Sequence, residues 1–100
     1  MATKKDDSGF ASILEIAKAA EQLTLRAVGI YSVEVENIIE SNTKNQQTIE
    51  GCLDGMLDFC GDKKMLLLFK KLCRYYVSIN PSAVVDYINI YRELWDSEDV

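Results

Sequence analysis

Apolar residues recur at helical spacing from Phe10 to Ile39. Placed at 100° per residue, Phe10, Ile13, Leu14, Ala17, Ala20, Thr24, Val28, Tyr31, Val35, Ile38 and Ile39 share one broad face. Glu15, Lys18, Gln22, Arg26, Glu36 and Glu40 take the opposite one. Within this span "YSVEVE" (residues 31–36) alternates as a half-buried strand would. The helical stripe nevertheless passes through Tyr31, Val35 and Ile38 in unbroken register, and Gly29 is the only turn residue beside the alternation. The pattern therefore predicts one long helix.

Three shorter helices follow. "SNTKNQQ" (residues 41–47) is a polar break rich in capping residues. After it Ile49, Cys52, Leu53, Met56, Phe59 and Cys60 form an apolar face, opposed by Glu50, Asp54 and Asp58. Gly61 reads as a stop and Asp62 as the next N-cap. The third helix extends to about Ile79, and "NPS" then supplies Asn80 as N-cap with Pro81 at the first helical position. In the last helix Val84, Tyr87, Ile88, Tyr91, Leu94 and Trp95 line one face. The expected fold is all-α: a small four-helix bundle-like domain over residues 9–96. A loose tail is expected at 1–8, with Ser8 capping the first helix, and an acidic tail at 97–100.

The helix lengths do not match. A helix over residues 10–40 is about 45 Å long at ~1.5 Å per residue. The other three come to roughly 18 to 27 Å by the same rule. Two arrangements resolve this: a kink at Gly29, or a stripe that projects beyond its neighbours and so needs a partner. The projecting case predicts a homodimer, with Ala17, Ala20, Ala27, Tyr31, Val35 and Ile38 as the contact stripe and small residues allowing close approach.

The third helix carries the most distinctive pattern. In "DKKMLLLFKKLCRYY" (residues 62–76), Lys63, Lys64, Lys70, Lys71 and Arg74 fall within a third of the circumference. The apolar remainder is broad enough for the most buried helix of the bundle, which makes Phe69, Tyr75 and Tyr76 core residues. Leu67 lies in the middle of the basic arc.

Charge sharpens that contrast. The 100-residue chain has a net charge of −5, yet residues 62–80 carry +4, between segments of −5 (1–61) and −4 (81–100). The basic edge formed by Lys63, Lys64, Lys70, Lys71 and Arg74, with Leu67 as an apolar anchor, suits an acidic protein surface. The alternative is a nucleic-acid-associated regulator using the same edge. No helix-turn-helix, zinc-finger or RNA-recognition signature accompanies it, and both flanking helices are acidic. A membrane role is not expected, because the apolar arc is needed for the core and the net charge is wrong for anionic lipid.

Candidate chemistry is sparse. Histidine is absent, which removes the commonest general base and metal ligand. Cys52, Cys60 and Cys73 form no CxxC pair, and no P-loop, GxGxxG, GxSxG or DxDxDG pattern occurs. Three thiols without an apolar leader read as reduced cysteines of a cytoplasmic protein. Arg74 beside Cys73 raises a redox-switch alternative. Neither an enzyme nor a cofactor is expected. The reading is a cytoplasmic protein–protein interaction or regulatory module that forms a homodimer and binds an acidic protein partner.

Overall fold

The computed structural model describes residues 2–96, with side-chain surroundings from Gly9 onward. Four helices follow one another: α1 (Ala2–Glu40), α2 (Gln46–Leu57), α3 (Lys63–Tyr76) and α4 (Pro81–Trp95). No strand occurs among the described residues, so the fold is all-α and bundle-like. Residues 31–36 are helical, and the side-chain phase outweighs their local alternation. The acidic tail expected at 97–100 lies outside the described residues.

The start of α1 differs from expectation. Helical backbone already begins at Ala2, so Ser8 lies inside the helix rather than at its N-cap. Of the two arrangements open for the long stripe, the structure takes the projecting one. The helix passes through Gly29 without interruption. Its 39 residues correspond to about 58 Å at ~1.5 Å per residue, close to the longest dimension of the molecule, 62 Å. The radius of gyration is 17.6 Å, against about 13 Å for a compact chain of this length.

The core lies around α3, which packs against all three other helices. Met65, Phe69, Leu72, Cys73 and Tyr76 are buried along it. The C-terminal half of α1 supplies Ala27, Val35 and Ile38, and α2 supplies Ile49, Cys52, Leu53 and Met56. From α4 only Val84 and Tyr87 are buried.

Polar ends of the tyrosines tie the layers together. Tyr75 donates to the Thr43 carbonyl at 2.6 Å, and Tyr87 donates to Asp54 Oδ1 at 2.7 Å. Tyr76 is buried as a ring, while its hydroxyl reaches the Glu50 carboxylate and Gln46. Glu50 and Asp54 thus accept hydrogen bonds from the core as well as facing water.

Local chemistry sets most boundaries. Asn45, Asp62 and Asn80 cap α2, α3 and α4 through side-chain oxygens that accept from backbone N–H groups. The end of α2 is earlier than the apolar face suggests. The helix stops at Leu57, and Phe59 and Cys60 turn tightly back onto Met56 and Leu57. The indole N–H of Trp95 donates to the Leu57 carbonyl at 2.8 Å, completing this end from α4.

Candidate partner-binding surfaces

The basic edge of α3 forms as the spacing predicts. Lys63, Lys64, Leu67, Lys70, Lys71 and Arg74 are all exposed, and Leu67 shows 63% of its surface to solvent. The physical reason lies on the other side of the helix. Met65, Phe69, Leu72 and Tyr76 are drawn into the core and fix the rotation of α3, which leaves this arc outside. Lys71 meets Glu36 of α1 at 3.8 Å, the single ion pair among the described residues. Such an exposed contact contributes ~0–1 kcal/mol. The other four cations have no described carboxylate within ion-pair distance. The carboxylate that the fold brings to this edge therefore comes from α1.

The proposed dimer stripe divides in two. Ala17 and Ala20 are exposed, but Ala27, Val35 and Ile38 are buried in the chain's own core. Tyr31 is half-buried, and its ring occupies the space where a side chain at Gly55 would stand. Within the chain, Ala27, Val35 and Ile38 are taken up by intramolecular packing, and Tyr31 in part. One continuous apolar face runs through both the core and the exposed arm, and periodicity does not mark where the body of the bundle ends.

The free surface is instead the projecting arm of α1. Every residue from Gly9 to Leu23 is exposed. Phe10 and Ile13 are 72% and 63% exposed, and Leu14 is 55% exposed. A second row, Ile16, Leu23 and Ile30, repeats at seven-residue spacing and is also exposed, with values of 61–70%. This row lies beside the main stripe and is absent from the sequence-level assignment. Its heptad spacing is the signal that identifies it.

A groove of about 600 Å³ opens between α3 and α4. Phe69, Cys73, Val84, Ile88 and Tyr91 contribute apolar lining, with Lys70, Arg74 and Arg92 at its margins and Asp96 also among the lining residues. The Phe69 and Tyr91 rings are 6.2 Å apart between centroids and tilted by 33°. This site joins part of the basic edge to α4. Sequence spacing alone does not bring Arg92 near Lys70 and Arg74.

The cysteines are placed for packing. Cys52, Cys60 and Cys73 are unpaired and buried. Burial pushes the Cys73 thiol up to about 11, despite its sequence neighbour Arg74, whose side chain is exposed. Burial raises Cys52 to about 12, with a further contribution from the facing Glu34 carboxylate. Burial, followed by the charge of the Cys73 thiolate, likewise raises Cys60 to about 12. None has the lowered pKa of a reactive thiol. Among the described residues no group of three or more potential ligands could hold a metal ion, and no helix is long and apolar enough to cross a membrane. No protein-family model, curated protein or solved structure matches the chain.

Proposed function

We propose that the protein is a cytoplasmic interaction or regulatory module that acts by binding rather than catalysis. It forms a homodimer through α1 and engages an acidic protein partner through the basic edge of α3. The observation that carries this reading is the α1 surface, where eight large apolar side chains are each more than half exposed. Of these, Phe10, Ile13 and Leu14 share one face of the arm, and a clustered apolar patch of this kind marks an interaction site in folded proteins. The three unpaired cysteines support placement in a reducing compartment.

The dimer test is molar mass by light scattering across a concentration series. Dimer mass for the native chain and monomer mass for Phe10→Asp/Ile13→Asp support the assignment; a concentration-independent native monomer removes it. Partner capture is tested with Leu67→Glu and with Lys70→Glu/Lys71→Glu, whose helicity should remain native while capture is lost. Retained capture excludes the basic edge. The exposed cations also support a second reading, a nucleic-acid-associated regulator. Nuclease-sensitive capture together with a steep decline of binding in added salt would select it.

A further inference from the structure

We infer that the groove between α3 and α4 receives the apolar face of an acidic amphipathic helix. The inference rests on the acidic-partner reading and moves its centre from the flat edge around Leu67 to a concave site beside it. The groove is built from two helices, and each wall repeats at helical spacing: Phe69 and Cys73 on α3, Val84 and Ile88 on α4. A third helix can set its ridges into such a furrow, using apolar side chains one and two turns apart.

Incomplete coverage by α4 creates this opportunity. Val84 is buried against the core, whereas Ile88, one turn later, is 39% exposed. Val77, at the end of the α3 wall, is 45% exposed. An incoming leucine or phenylalanine can cover these positions without displacing α4.

Charge specifies the flanks of the incoming helix. Lys70 and Arg74 stand one turn apart on α3, while Arg92 belongs to α4. None has a described carboxylate within ion-pair distance. Asp96 supplies a single opposing charge among the lining residues. Glutamates flanking the apolar stripe of a bound helix would meet this cationic margin, whereas lysines there would be repelled.

The test uses two fluorescein-labelled model helices of about 18 residues, each with leucines at i, i+4, i+7 and i+11. One has glutamate flanks and the other lysine flanks; anisotropy measures their binding to the full chain. The acidic helix is expected to bind at least about tenfold more tightly. Ile88→Glu and Arg74→Glu/Arg92→Glu should each weaken it by about tenfold or more, while Gln22→Glu, exposed on the polar face of α1 away from the groove, leaves it nearly unchanged. Circular dichroism checks that the variants retain native helicity.

Loss of peptide binding in Leu67→Glu with retention in Ile88→Glu would overturn the groove while preserving an acidic partner at the edge. Equal binding of the two helices, or no binding, would overturn the groove assignment; native partner capture then judges the broader reading separately. Acidic-helix binding only after Phe10→Asp/Ile13→Asp has released a second copy would assign the groove to this chain and also overturn the inference.

Discussion

Gly51 and Gly55 lie one helical turn apart in α2, yet their surroundings make opposite demands. A side chain at Gly51 would meet open space, whereas one at Gly55 would press into the Tyr31 ring, with its Cζ only 2.8 Å away. Gly51→Ala is expected to stabilise the protein by about 0.5–1 kcal/mol through helix propensity. Gly55→Ala should destabilise it, because displacement of Tyr31 opposes the same propensity gain. Urea unfolding followed by circular dichroism distinguishes these signs. The three thiols make a pH prediction at the same scale. Their pKa values rise on folding from 9.0 to about 11 for Cys73 and about 12 for Cys52 and Cys60. Tyr76 rises from 10.0 to about 12 through burial, then its hydrogen bond to Glu50. The unfolded chain loses these protons first, so their contribution to stability is complete below about pH 9 and declines from there toward about pH 12. A urea midpoint that stays level through this interval would contradict the assignment.

Among the helices, the most legible boundaries were those whose cause is local. Asp62 accepts from the N–H groups of Lys64 and Met65 at 3.0 and 3.1 Å, and Asn80 accepts from that of Ala83 at 3.1 Å. Both caps follow from residues next to the helix they begin. Asp62→Ala should therefore cost about 1 kcal/mol, measured by chemical denaturation. The stop at Leu57 was not legible, because Trp95 reaches it from 38 positions away in sequence. Trp95→Phe keeps an aromatic ring but removes the indole N–H. Its expected cost is also about 1 kcal/mol, since the Leu57 carbonyl is left with only the longer bond from the Cys60 N–H, 3.4 Å. The same distinction explains the site. Lys63, Lys64, Leu67, Lys70, Lys71 and Arg74 follow from the rotation of one helix, but the groove requires the placement of Arg92, Val84 and Ile88 from another.

The whole molecule combines a three-dimensional core with an extended arm. The sequence showed that the first helix was too long for its neighbours, and the structure places the surplus at its N-terminal half. An isolated helical segment of this size is marginal without tertiary support. Amides over residues 9–23 should consequently exchange faster than those of α3 in dilute solution and, on the proposed homodimer, slow as concentration rises. Exchange in this arm that remains independent of assembly would place the dimer contact elsewhere. The position of α3 at the centre of the bundle has a different consequence, for how the protein can change by mutation. Its core side and basic edge share one helical frame. Single substitutions can alter the edge one charge at a time while Met65, Phe69 and Leu72 hold the frame. Inserting one residue after Asp62, however, would rotate the downstream sequence by about 100° relative to its neighbours. To restore the core, the helix would have to slip as a whole, so the exposed edge can diversify by replacement far more readily than by insertion.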